Sequence, residues 1–369
     1  HVGESFGPTE LDALFEGGDP APVWKRGQEF VQNDDQDPKH FLQLRRNLRD
    51  AGKRGIAYGV SSDVHADTVL KLLRQPDLPV IEKHNIMLLN RAWAKRKDLL
   101  ETAADINVRC TEFLDKPHSP RAAKYATSIQ HFGVDLYAQL CHEYGKKLRY
   151  LGINEFITLS DGVPRSLLNI LKEIFKWATF SGEQPFQSSK QISKLSQERG
   201  VLEASDWFLQ EAPVGGGMPA ASAMNATTRI AELLRELVYS DKPPECSLNT
   251  FSASIGHLDH DAVASLQAAQ DFALLRRAPR GQKAKSSGKL DEKFHLNRML
   301  VPKWGLPSAH RGAIKLDERE LAVVFAPRSD EEFIALKKER LRRANYPFAL
   351  SGKKRAAKRS LNLFGEEDD

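Results

Sequence analysis

From His40 to Phe180, apolar residues recur at helical spacing in one stripe after another. This succession constrains the fold more than any other feature of the sequence. Phe41, Leu44 and Leu48 share one face of a helix that closes on lysine, arginine and glycine. A segment over 64–75 reads as a second helix, capped by Ser61, Ser62 and Asp63, and 55–60 reads as one short strand before it. Ile86, Leu89 and Trp93 mark another helix, and Leu99, Ala103, Ile106 and Cys110 the next. The longest register is Ile129, Phe132, Leu136, Leu140 and Tyr144. Each stripe can be buried only against another, so 40–180 is expected to be a helical bundle.

The pattern changes further on. A short amphipathic helix over 203–211 precedes a Gly/Pro break at 213–219, and another helix covers 220–239. Asp259 is expected to cap a helix from His260 to about Phe272. The stretches "FALLRRAPR" and "KFHLNRMLV" read as two strands joined by a polar loop, with Phe294, Leu296 and Met299 alternating on the second. Three helices followed by a basic hairpin is the order of a winged helix-turn-helix. Five segments follow: an acidic Gly/Pro-rich stretch over 1–39, a helical region over 40–185, a linker with a short helix over 186–219, a winged-helix domain over 220–327, and a C-terminal helix with a charged tail over 328–369.

Charge is spread unevenly. The net value is +5, yet the first forty residues are acid-rich and the basic residues gather in 276–303 and 337–359. The expected wing carries Arg276, Arg277, Arg280, Lys283, Lys285 and Lys289, with Lys293 and Arg298 on its return strand. Such an edge suits the phosphates of double-stranded DNA. The helix before it holds Asp261 and Asp271 and no lysine or arginine. Only Gln267 and Gln270 are suited to base edges, so backbone contact with little sequence reading is expected. The competing use of the same surface is docking of a protein partner, with the basic loop serving solubility.

Other chemistry finds little support. Cys110, Cys141 and Cys246 are far apart, which fits a reduced, cytoplasmic setting better than a disulfide framework. No apolar run approaches the roughly 20 residues that cross a bilayer. The histidines of "HLDHD", 257–261, are explained by a capped helix start rather than a metal site. Cys141 and His142 are adjacent on a helix and point apart, so they form no nucleophile–base pair. Trp93, Trp177, Trp207 and Trp304 sit among apolar residues and are read as core.

Three segments carry a family likeness: "INEFITLSDGVPRSLLNILKEIFKWATFSGE", "YSDKPPECSLNTFSAS" and "KFHLNRMLVPKWGLP" with "RGAIKL". Together they resemble the C-terminal part of prokaryotic AAA+ ATPases of the origin-recognition, initiator-like type, over roughly 81–344. The resemblance implies a mainly α fold, a helical AAA+ lid-type bundle followed by a winged helix-turn-helix domain with a small β-hairpin. In these ATPases a Gly-x-x-Arg sequence opens a lid helix, and its arginine senses the γ-phosphate of ATP. Gly162, Pro164 and Arg165 match that pattern, with Arg165 as the sensor. A guanidinium is a planar fork suited to phosphate oxygens, and proline is at home in a helix's first turn. The alternative is an internal ion pair from Arg165 to Asp161 or Glu173.

The chain departs from the pattern in one respect. No G-x-x-x-x-G-K-[ST] sequence and no apolar strand ending in Asp-Glu occurs in its 369 residues. Either these parts precede His1 in a longer protein, which the histidine start favours and for which ATP and magnesium are implied, or the protein has lost them. No catalytic residue is assigned here, and hydrolysis by this chain alone is not expected. The expected function is an ATP-gated, DNA-associated switch, with self-association left open. The alternative is an interaction module that docks a partner or effector in a mobile-element or phage-defence system.

Overall fold

The computed structural model describes residues 13–17, 22–30, 37–117, 119–185, 191–211, 216–240, 249–253, 258–278, 292–309, 313–326 and 330–344. Two compact units emerge. One comprises Pro22–Lys146, Glu236–Cys246 and Ala335–Asp369; the other comprises His1–Ala21, Lys147–Arg235 and Ser247–Ile334.

The first unit is helical. Its main elements are α1 (Lys39–Gly52), α2 (Asp63–Leu73), α3 (Pro79–Ala94), α4 (Leu99–Asp115) and α5 (Pro120–Glu143). Their starts follow local chemistry. Ser62 accepts from the His65 amide at 3.2 Å, Asp98 from the Leu100 and Glu101 amides at 2.9 Å, and Ser119 from the Ala122 amide at 3.0 Å. Pro79 and Pro120 occupy the first turn, where no N–H is needed. One apolar cluster joins Phe41, Leu48, Val69, Leu73, Trp93 and Leu99. A second joins Val80, Met87, Cys110, Ile129, Leu136 and Leu140, with Trp24 and Phe30 against it. The latter two come from 3₁₀ turns at Val23–Lys25 and Gln28–Phe30, within the acidic Gly/Pro-rich stretch.

The strand expected over 55–60 does not form. Those residues make turns and bends, and two of their carbonyls are taken by residues of the neighbouring helices. The Trp93 indole donates to the Ile56 carbonyl at 2.7 Å, and the Leu99 amide donates to the Tyr58 carbonyl at 2.9 Å. Backbone groups satisfied this way have no need of a ladder.

The second unit mixes helices with a sheet. It holds α6 (Ile153–Leu159), α7 (Pro164–Phe180), α8 (Lys194–Glu211) and most of α9 (Gly217–Val238). Then follow β1 (Thr250–Ala253), α10 (His260–Asp271), β2 (Leu275–Arg277), β3 (Glu292–Leu296), a 3₁₀ turn (Arg298–Leu300), α11 (Val301–Trp304), β4 (Ile314–Leu316), α12 (Glu318–Phe325) and the start of α13 (Asp330–Ala344). The helical region expected over 40–185 is thus divided after Lys146, and α6 and α7 belong to the mixed unit.

α7 and α8 approach so closely that a Cβ on Gly200 would lie 2.5 Å from the Ile174 backbone. The sheet runs β2-β3-β1-β4. β3 pairs antiparallel with both β1 and β2, and β4 pairs parallel with β1, so the expected hairpin is part of a four-stranded mixed sheet. Phe251 and Phe294 are register partners with rings 5.4 Å apart, and Phe325 of α12 lies 5.8 Å from Phe251. Met299 does not continue β3. Asn297 accepts from its amide at 2.9 Å and caps a 3₁₀ turn there. Among the described residues, no helix is long and apolar enough to cross a membrane.

Candidate functional site

The stretch Leu159–Arg165 forms a tight turn between α6 and α7. Ser160 ends α6, donating its hydroxyl to the Ile157 carbonyl at 2.7 Å. Asp161 and Gly162 then both take left-handed backbone, with φ of 54° and 75°. Glycine does this without steric cost, and aspartate is among the few other residues that visit the region. Val163 is extended, as a residue before proline should be, and its amide donates to the Ser160 carbonyl at 3.0 Å. Pro164 opens α7 with no side-chain cap on the helix start. In the first turn of α7 the Ser166 and Leu167 amides donate to the Val163 carbonyl at 3.0 and 3.2 Å, and Pro164 has no N–H to offer.

Arg165 is exposed in that first turn. Neither candidate internal partner takes it. Glu173 is buried and accepts Lys172 at 3.0 Å and Lys176 at 2.9 Å; burial alone would raise its pKa, but the two ammonium groups hold it below the usual value. Asp161 is held by the sheet instead.

Asp161 is the meeting point of three basic residues. Arg276 of β2 donates to the Asp161 backbone carbonyl at 3.1 Å, and its Nε lies 3.2 Å from Oδ2. That second contact is an ion pair without a well-directed hydrogen bond, since Oδ2 has no hydrogen-bond partner. Arg298 donates from Nη1 to Oδ1 at 3.2 Å and from Nε to the Ser308 carbonyl at 3.2 Å. His295 Nε2 of β3 lies 3.8 Å from Oδ2. Burial pushes the Asp161 carboxyl up, but the His295 ring and the two guanidiniums outweigh it and hold it below the ordinary value of 3.8.

The expected wing cations therefore divide. Arg276 and Arg298 turn onto Asp161 instead of standing free along the hairpin. Arg277 is exposed and pairs with Glu292 across the strands at 2.7 Å. Lys293 is half-buried on β3. Arg280, Lys283, Lys285 and Lys289 lie outside the described residues, in the connection from β2 to β3. On α10, Asp259 accepts from the Ala262 amide at 2.7 Å, as the sequence predicts. Gln267 donates to Asp271 at 2.8 Å and Gln270 to the Leu266 carbonyl at 3.2 Å, so both amide side chains are engaged on their own helix.

The Asp161 cluster was not legible from spacing. Asp161 stands 115 positions from Arg276 and 137 from Arg298. Its only sequence signal was a carboxylate beside a glycine, which suggested a partner for Arg165.

A family model described as ORC-CDC6-like matches residues 9–316, most of the chain. The chain belongs to the ORC-CDC6-like family, and so to the origin-recognition, initiator-like AAA+ proteins. No curated protein matches it, and no solved structure does.

Proposed function

We propose that the chain is the lid and winged-helix portion of an initiator-like AAA+ ATPase, acting as an ATP-gated, DNA-associated switch. The observation that carries this reading is Arg165. It is an exposed guanidinium, paired with no described residue, in the first turn of a helix that has no side-chain cap. Within the lid-like region of 40–185, α6 and α7 carry the Gly162–Arg165 turn in this reading. The succession α9, β1, α10, β2, β3 forms the winged helix, with β1 lying against β3.

Gly162 and Pro164 shape the turn, and Arg165 supplies one donor to a γ-phosphate. One donor is not a nucleotide site, and the sequence holds no phosphate loop. In this reading ATP and magnesium are implied for the full-length protein, and hydrolysis by these residues alone is not expected. Arg277, Arg280, Lys283, Lys285, Lys289 and Lys293 would contact duplex phosphates. The occupied glutamines of α10 support binding led by the backbone.

The test is a duplex DNA titration of the wild-type chain against a variant with Arg280, Lys283, Lys285 and Lys289 all changed to alanine. Loss of about tenfold or more in affinity at constant salt supports the wing assignment. Equal affinity removes it. Recovery of one stoichiometric protein partner, with no DNA bound by either form, would favour the interaction-module alternative.

A further inference from the structure

We infer that Asp161 is a latch that competes with DNA phosphate for Arg276 and Arg298, so that phosphate capture at the sheet edge loosens the turn that presents Arg165. The inference rests on the DNA reading above for its phosphate half only.

Three observations place the latch. The two arginines reach Asp161 from β2 and from the 3₁₀ turn that follows β3, so one carboxylate fastens both strands, at the end where β2 starts and β3 stops, to the turn before α7. Arg276 also fixes the turn's backbone, through the Asp161 carbonyl. And the latch residue is itself in left-handed backbone, directly before another left-handed residue and four positions before Arg165. A conformation that costs free energy persists where its surroundings hold it.

The same geometry makes the latch open to competition. The Asp161 side chain is 9% exposed, whereas Arg276 and Arg298 are 32% and 26% exposed. Both side chains are thus partly open to solvent while they hold the carboxylate. Oδ2 lacks a directed hydrogen bond, so the grip on Arg276 is weaker than a two-bond fork. A phosphate offers each guanidinium the fork that Asp161 does not. His295 faces the carboxylate too and would stay with it. Arg276 and Arg298 are then positioning residues for Arg165 when the latch is closed and phosphate ligands when it is open.

Two measurements test this. The first needs no DNA: amide hydrogen exchange of 161–167 in the wild-type chain, in R276A/R298A and in D161N. Exchange in the turn should rise about tenfold in both variants while α10 is unchanged. Unchanged exchange in the turn, or an equal rise throughout the unit, overturns the latch. The second is the salt dependence of duplex binding by the wild-type chain and D161N. Freeing two arginines should tighten D161N by about tenfold near ~100 mM salt and steepen its log–log slope by up to roughly 1.8. Equal or weaker binding by D161N overturns the competition. If no form binds DNA while the exchange result holds, the DNA reading fails and the latch itself stands.

Discussion

Arg276 holds Asp161 twice across 115 positions of sequence, once at the backbone carbonyl at 3.1 Å and once beside the carboxylate at 3.2 Å. A strand of the sheet and the turn that opens α7 are thereby one mechanical piece. Its first consequence concerns stability. Asp161→Asn keeps a residue that tolerates positive φ but leaves two partly buried guanidiniums without their counter-ion. It should cost about 2 kcal/mol, below the range for a fully buried pair because the arginines are partly exposed. Asp161→Ala should cost about 1 kcal/mol more, because alanine resists left-handed backbone. Urea unfolding of the two variants checks the order, and an alanine variant as stable as the asparagine one would contradict it. The carboxyl's folded pKa lies below 3.8, so this stabilisation is present above that pH and is lost only as pH falls through the lower folded value.

Gly200 is where α8 meets the Ile174 backbone of α7. A methyl group there has no flexible neighbour to displace. Gly200→Ala should destabilise the mixed unit by about 1–3 kcal/mol despite alanine's better helix propensity. Thermal unfolding measures it, and a melting temperature equal to or above wild type would contradict the close packing.

His84 makes the helical unit sensitive to acid. It is fully buried on α3, with Nε2 2.8 Å from the Ser128 hydroxyl and Nδ1 without a partner. Burial, and to a lesser degree Arg91, lowers its pKa to about 3. The unfolded chain takes up the proton near 6.5 and the folded chain does not, so stability falls as pH drops from about 6.5 towards 3. The slope approaches about 1.4 kcal/mol per pH unit for this one group. His84→Gln should flatten that part of the pH–stability curve. An unchanged curve would show that His84 is not what acid acts upon.

Local chemistry was readable in the sequence, and long-range pairing was not. The stripes through Phe41, Trp93, Ile106 and Leu140 announced helices because their spacing is the helix's own period. Ser62 and Asp259 announced their caps because a cap is decided within three residues. The segment 55–60 misled because Ile56, Tyr58 and Val60 favour strands, while its carbonyls are taken by Trp93 and Leu99 from neighbouring helices. β1 and β4, at four and three residues, are too short for alternation to show; partners far along the chain define them. Arg165 is legible as a charge of the wrong sign for a helix start, whereas nothing near Arg276 or Arg298 in sequence marks Asp161 as their partner.

The proposed function has the wing hold duplex DNA by the DNA's phosphate backbone. The most direct measurement is the affinity of the wild-type chain for two duplexes of unrelated sequence as salt is raised. The account predicts measurable binding at low salt and equal affinity for both sequences. The log–log slope should be about −4 to −6, as expected for roughly five or six phosphate contacts. No binding at ~50 mM salt, or affinity that does not change with salt, would contradict it.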